Sequence, residues 1–565
     1  MKLKSEYLFS GTLSIVCTFV IFSFLSCNKE IPQINSFQSN INQENLNSLV
    51  ETSPISQDSM EFASQTPNPY TLLNMEAALQ FLIDSSDFEC DFTKFIIRPT
   101  HKYIKFKPID SIQNLILNTD SNLVLFDYPL DRKLIKGGTY YRDPAIPDGQ
   151  PNYQWCCVPI EQSLPFGIPF EVISILYLPE LDPNLVELYN TPFDGCINLL
   201  IDQSMKMTGN FDTTQTKMDL TLGAGEIKIK KSVQSPSKWA PKGIIKIFDD
   251  RLLTAIGLEG VKVRAHRWFE TRESITNASG FYNIGQEFRY PVDYSIKWER
   301  GDFAIHSGDM GQAYFNGPHQ KGDWNLNITR SNSGGASWLY GHVHRAALRY
   351  CYKDIGGLRR LGQKKFAYWV FDRAGGWHNH SGNQGVNYAQ IARINGKKSD
   401  GGQYYTADEI YSTTIHETAH STHLKIMNAG LIQMSQVSRK IAESYAIGVE
   451  WVITQIEYRG LGIVNYSGHD YYVAAGFPIK YGYQYWNSSI SEDYTSLFID
   501  LIDDYNQNSS LFSTKINDPV SGYSLGDIES YLKNVYGLTS LTTQLKANKP
   551  SSVSDAQIDE LISNF

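Results

Sequence analysis

An excess of positive charge is missing from this sequence. Over 565 residues, 50 Lys and Arg stand against 59 Asp and Glu, a formal charge of −9, which argues against a nucleic-acid partner because binding one requires a basic face. A phosphate-binding Gly loop, a nucleophile elbow and an internal repeat are also missing, which removes the sequence case for nucleotide chemistry, serine-hydrolase chemistry and a repeat solenoid. Cysteine is scarce, at 7 residues with no C-x-x-C pair, so no cysteine zinc site is suggested. The composition that is present, 42% hydrophobic and 19% charged, is globular, and the length calls for roughly two to four domains.

The chain begins with Lys2 and Lys4, runs apolar from Leu8 to Leu25 and reaches Phe24-Leu25-Ser26-Cys27. The apolar run is long enough to span a bilayer. The small residue before Cys27 and the abrupt polar sequence after it argue instead for a cleaved address. The segment resembles a bacterial lipoprotein signal. That resemblance implies that residues 1–27 are removed or processed, that Cys27 carries the lipid, and that the chain is held to a membrane through it. Asn28-Lys29-Glu30 resembles the charged tag that sends some Gram-negative lipoproteins to the cell surface, so the outer membrane is the expected location. Residues 28–67 are rich in Ser, Asn, Gln and Pro and are expected to be a flexible tether, having too little apolar surface to offset chain entropy.

Once Cys17 leaves with the signal and Cys27 takes the lipid, Cys90, Cys156, Cys157, Cys196 and Cys351 remain. This odd set guarantees a free thiol in a monomer. Adjacent Cys156 and Cys157 cannot easily bond each other without strain, so a bridge from one of them to Cys90 or Cys196 is expected.

Three folded regions follow, giving a multidomain fold class. Residues 68–212 read as an α+β domain, with Leu72, Met75, Leu79 and Leu82 at helical spacing, an alternating strand at Tyr103–Phe106, a helix from Ser111 to Leu117 and an apolar strand at Leu123–Phe126. Its expected role is structural or protein-binding, with a prodomain or inhibitory cap as the sharper alternative. Residues 242–307 alternate as a β-sandwich: Gly243–Phe248, Val261-Val263-Ala265, a turn at Asn277–Gly280, then Val292–Trp298. This order of strand, Gly-Val-Lys-Val strand and Asn-Ala-Ser-Gly-Phe turn resembles the transthyretin-like regulatory domain found beside carboxypeptidases, which implies a spacer or docking surface. Residues 317–565 read as a mainly α, α+β domain: a helix at Ser337–Leu348, strands at Lys365–Phe371 and Asn387–Ile394, then a helix from Ala407 to Met427.

That last helix carries His416-Glu417-Thr418-Ala419-His420, an H-E-x-x-H sequence. Residues four apart stand on one helix face, so both imidazoles reach one metal ion while Glu417 addresses a water there. A catalytic Zn2+ needs a third protein ligand and an open position. A third histidine at metzincin spacing is absent, because Lys425 and Ile426 lie where that pattern continues. His423 lies too far along the axis to join His416 on one metal and is expected to support the site or face solvent.

A second helical stretch, Arg439–Thr454, places Glu443 some twenty residues after His420 and follows it with the small Ser444 and Ala446. The two helices together resemble the gluzincin, thermolysin-like arrangement. The resemblance implies a zincin-like metallopeptidase that hydrolyses peptide or protein substrates, with His416, His420 and Glu443 on zinc and Glu417 as general base. Glu450, two turns beyond Glu443, is the rival ligand. The chain departs from the pattern at Ile447, where such enzymes often carry an Asp that orients a zinc histidine. That departure keeps a different reading open: a surface-binding lipoprotein with a degenerate, inactive peptidase fold. Tyr494 is a candidate oxyanion donor, with His469 and Tyr471 as rivals, and none is assigned. His342 and His344, two apart on a helix, point different ways. His378 and His380 lack a third ligand nearby.

Overall fold

Helical and strand periodicities alternate along the chain, and the computed structural model contains helices and several separate sheets, a mixed α and β architecture. It describes residues 60–565 other than 86–89, 137–140, 148, 187–192, 212–237, 309–310, 332–335, 361–364, 375–390, 399–402, 428–435, 467–487, 489–490 and 507–515. Residues 1–27, Cys27 and most of the expected tether lie outside the described residues, as do His378, His380, His469 and Tyr471.

The tether ends earlier than residue 67. Strand β1 (Glu61–Phe62) already pairs with β3 (Leu134–Lys136), and Met60 is buried. The N-terminal region also holds α1 (Leu72–Asp84), β2 (His101–Phe106), α2 (Ser111–Thr119), β4 (Gln154–Pro159), β5 (Phe170–Leu176), α3 (Pro183–Val186) and α4 (Phe193–Met207). Thr71 and Asp110 start α1 and α2 by accepting the backbone N–H of the residue three further on. β2 is the centre of an antiparallel sheet ordered β4-β2-β5. Because α1 packs on α4, Cys196 meets Cys90 in a disulfide with Cα atoms 5.7 Å apart. The expected bridge to Cys156 or Cys157 does not form. Those two alternate across β4, each entering a different core cluster as a free thiol.

Next come β6 (Lys242–Asp249), β7 (Thr254–Gly257), β8 (Lys262–Arg267), β9 (Glu270–Ile275), β10 (Phe281–Asn283), β11 (Val292–Lys297), β12 (Phe303–Ser307), β13 (Gly311–Gln312), β14 (Tyr314–Gln320) and β15 (Leu326–Ile328). One sheet is ordered β10-β6-β15 with β7 on β6; another is ordered β14-β11-β8-β9. Alternate residues Ile245, Ile247, Val263, Ala265, Tyr294 and Ile296 fill their shared core. The sandwich therefore extends to Ile328, past the boundary at 307 read from the sequence. Gly317 and Pro318 break the alternation that would have marked β14. Gly317 is required because a Cβ there would lie 2.7 Å from Trp324, and Pro318 is tolerated because β14 is an edge strand.

The outward face of β8 and β11 is charged but not solvated. Arg264 is 1% and Lys297 3% exposed. Segment 123–130, of which Leu123–Phe126 is expected as a strand, makes a bridge between Phe126 and Trp155 and otherwise lies across this face, where Leu125 O accepts Arg264 Nη1 at 3.0 Å and Tyr314 Oη at 3.2 Å. Glu299 sits among these charges, taking Lys262 at 2.8 Å, Lys297 at 3.1 Å and Lys365 at 2.9 Å, while Glu273 takes Arg264 at 2.6 Å. The N-terminal region is thus docked on the sandwich partly through buried polar and charged groups.

The remaining elements are α5 (Ser337–Tyr352), β16 (Phe366–Ala374), β17 (Ile391–Lys397), α6 (Ala407–Ile426), α7 (Arg439–Gly460), α8 (Leu497–Asp500), α9 (Leu525–Tyr531), α10 (Leu538–Ala547) and α11 (Asp555–Ile562). β12, β16 and β17 form a parallel run with β13 antiparallel at one edge. The sandwich is no detached spacer: its apolar side chains and those of α5, α6 and α7 belong to one continuous core.

The turn after β6 makes the junction specific. Asp249 takes Arg345 of α5 at 2.7 Å and Tyr458 Oη of α7 at 3.0 Å. Asp250 accepts the Ala407 N–H at the start of α6 at 2.7 Å and pairs with Arg330 at 2.8 Å. Asp250→Ala removes both contacts and is expected to cost about 2 kcal/mol, since hydrogen bonds to charged groups are the stronger ones. Urea unfolding reads this as a lower midpoint at unchanged slope, and a change below about 0.5 kcal/mol would show that the turn does not hold α6.

Candidate metal centre

Helix α6 is buried nearly all round, from Ala407 to Leu424, so it depends on polar side chains finding partners rather than on one apolar stripe. Thr406 caps it in a box with Glu409, whose Oε2 accepts the Thr406 N–H at 2.7 Å. Thr414, Thr418 and Thr422 bond back to the carbonyls four residues earlier. Two tyrosines then fix the helix from outside: Tyr368 of β16 meets Thr418 at 2.9 Å, and Tyr350 of α5 meets Thr422 at 2.6 Å.

Helix α7 is started by Ser438, whose Oγ accepts Ile441 N–H at 3.3 Å. It is held from its far side as well. Ser444 shares a 2.7 Å hydrogen bond with Thr495, and Gly448 lies so near α8 that a Cβ would stand 2.8 Å from Phe498 Cβ. With both helices fixed, Glu443 faces the histidine pair.

The resulting geometry is close. His416 Nε2 and His420 Nε2 are 3.1 Å apart, and Glu443 Oε2 lies 3.3 Å from the first and 3.2 Å from the second. All three residues are buried, at 4%, 6% and 7% exposure. Three donors on a tetrahedral ion with bonds of about 2.0–2.1 Å would stand about 3.3–3.4 Å apart, so the cluster has nearly the spacing of three ligands around one ion. Two imidazole nitrogens and one carboxylate oxygen are a donor set suited to such a metal.

Glu450 lies on the other side of the same ring. Its Oε2 is 2.9 Å from His416 Nδ1, and it is 1% exposed. The two glutamates that compete in the sequence therefore occupy different positions: Glu443 beside both Nε2 atoms, Glu450 behind His416. Ile447 turns away into an apolar group with Trp451, Tyr494 and Ile499. Glu450, three residues after Ile447 and about one helical turn along, is the carboxylate that meets His416 Nδ1, outside the His416, His420 and Glu443 trio.

The electrostatics follow from these contacts. Burial alone would lower the His416 pKa, but its hydrogen bonds to Glu443 and Glu450 overcome this and raise it to about 9. Burial pushes Glu443 the other way, and the charge of His420 together with hydrogen bonds from both histidines holds its carboxyl well below the usual range. The contacts thus favour an ionised Glu443 beside a positively charged His416, and a metal ion would take over that positive charge.

Glu417 follows His416 on α6 and is 1% exposed. His423 is fully buried and packs against the Tyr445 ring at 5.2 Å, correcting the expectation that it might face solvent; burial, and then the nearby His420, lowers its pKa to about 3. Tyr494 is buried in the group around Ile447, ahead of α8, which begins at Leu497. His342 and His344 diverge, reaching Phe248 O at 3.3 Å and Glu259 O at 3.0 Å. Compared with protein-family models, with curated proteins and with solved structures, the chain matches none.

Proposed function

We propose that this chain is a zinc metallopeptidase of gluzincin type, acting on peptides or proteins outside the cytoplasm and held to the outer membrane by lipid on Cys27. The observation that carries the proposal is the mutual spacing of His416, His420 and Glu443, 3.1–3.3 Å between donor atoms, with Glu417 in the same buried turn. Zinc bound there would supply Lewis acidity toward a peptide carbonyl and a water acidic enough to be deprotonated near neutral pH. Glu417 would be the base that takes a proton from an attacking water and passes it to the leaving amine. Glu450, bonded to His416 Nδ1, would hold that ring in one tautomer and orientation and leave Nε2 free for a metal. The sandwich, with its transthyretin-like strand order, braces the start of α6 through Asp250.

The degenerate-peptidase alternative rested on Ile447. Glu450 meets the need that Ile447 leaves, so the support for that alternative weakens. The N-terminal region contacts the sandwich through Leu125, Arg264 and Tyr314, which supports a docked module more than a lid over α6.

The test is metal removal. Purified chain is expected to hold one zinc per molecule, to cleave a quenched fluorescent peptide or protein substrate, to lose cleavage with a zinc chelator and to recover it on adding zinc. A wild type that is zinc-free and inactive even after zinc addition would overturn the proposal.

A further inference from the structure

The segment that supports α7 from outside carries a second cluster with its own chemistry. Asp500 ends α8, Asp503 follows in the next turn, and Asp518 arrives from the loop before α9. Each offers a carboxylate oxygen within 4.8 Å of the others. Asp500 is fully buried and Asp518 is 4% exposed.

The Asp518 side chain is the informative one. Its Oδ1 accepts the Val520 N–H at 3.1 Å, while its Oδ2 is buried without a hydrogen-bond partner among the described residues. A buried carboxylate oxygen left in this condition is costly. Burial raises the Asp518 pKa, and the charge of Asp503 raises it further. The backbone nevertheless holds these groups together: Asp518 N–H donates to Asn506 Oδ1 at 3.2 Å, and Tyr523 N–H donates to Leu501 O at 3.0 Å. The fold brings three carboxylates together at a place where a positive charge would satisfy Asp518 Oδ2.

We infer that Asp500, Asp503 and Asp518 form a structural calcium site, distinct from the histidine cluster. Oxygen-only donors select a hard cation. Three carboxylates, two buried and Asp503 half-buried, favour calcium, which takes many protein oxygens, over magnesium, which keeps most of its waters and binds through one or two carboxylates. Bound calcium ties the 516–523 strip to the end of α8. That helix abuts Gly448 of α7, and the Thr495 just before it bonds Ser444, the neighbour of Glu443. The ion therefore stabilises the support of the helix that presents Glu443 and Glu450.

The inference does not depend on peptidase activity, and its test does not read activity. The full mature chain, freed of divalent ions on chelating resin and reloaded with zinc, is titrated with CaCl2 by calorimetry and followed by thermal melting. One calcium per chain is expected, with Kd in the range of about 10⁻⁶–10⁻³ M, together with a melting midpoint that rises with CaCl2 and not with equal MgCl2. Asp518→Asn and Asp503→Asn should each weaken calcium binding by tenfold or more. If Asp518→Asn fails to fold, Asp503→Asn and the wild-type melting shift still decide. No calcium heat and no midpoint shift up to about 10 mM, beyond the weakest sites of this kind, or an equal response to magnesium, overturns the site.

Discussion

Glu417→Gln retains the wild-type zinc content and loses about 10²–10⁴-fold in peptide hydrolysis, the range that a positioned general base contributes. Glutamine keeps the size and much of the hydrogen bonding of glutamate, so this buried position, 1% exposed, is not left with a cavity. It cannot take a proton at neutral pH. The residue lies outside the donor trio of His416, His420 and Glu443, so metal binding should survive. The loss should fall on kcat rather than KM, because the proton moves only as the water attacks. Metal analysis and steady-state kinetics on one preparation separate the outcomes. Hydrolysis within a few-fold of wild type would remove Glu417 from the chemistry, whereas lost zinc would make it structural.

The motif helix and the second helix were legible in the sequence because both are long runs without proline, and α6 spans Ala407–Ile426 against an expected Ala407 to Met427. Their mutual rotation was not legible. Helical spacing says that Glu443 and Glu450 share a face; it does not say which side of His416 each will meet, and that depends on Ser444 against Thr495 and Gly448 against Phe498. Strand β14 was hidden by Gly317 and Pro318. The apolar run Leu123–Phe126 looked like a strand because apolar content marks burial, and burial is what this strap has. It covers the charged face of β8 and β11 while pairing only at Phe126. The disulfide is not legible for a related reason: the adjacency of Cys156 and Cys157 says nothing of which distant segments pack, and the packing of α1 on α4 chooses Cys90 and Cys196.

Glu450→Gln is expected to weaken zinc binding about 10–100-fold, the usual cost of losing a carboxylate behind a metal-bound histidine, and Glu443→Gln to weaken it further. The two differ in kind. With Glu450 altered, His416, His420 and Glu443 all remain, so excess zinc should restore full occupancy and most of the hydrolysis. With Glu443 altered, a donor is missing, and zinc that is forced in should leave activity low. pH sharpens the contrast. His416 is raised to about 9 by Glu443 and Glu450 together, so below that pH zinc must displace a proton and wild-type affinity should climb as pH rises toward 9. Removing the Glu450 charge loosens that proton as well as the metal, so the Glu450→Gln defect should be smaller at pH 6.5 than at pH 9. An added Asp at 447 should not rescue it, because that side chain points among Trp451, Tyr494 and Ile499. Competition against a fluorescent zinc chelator across this pH range measures all three variants. Equal affinities for wild type and Glu450→Gln at pH 9 would show that the 2.9 Å contact with His416 Nδ1 has no part in holding the metal.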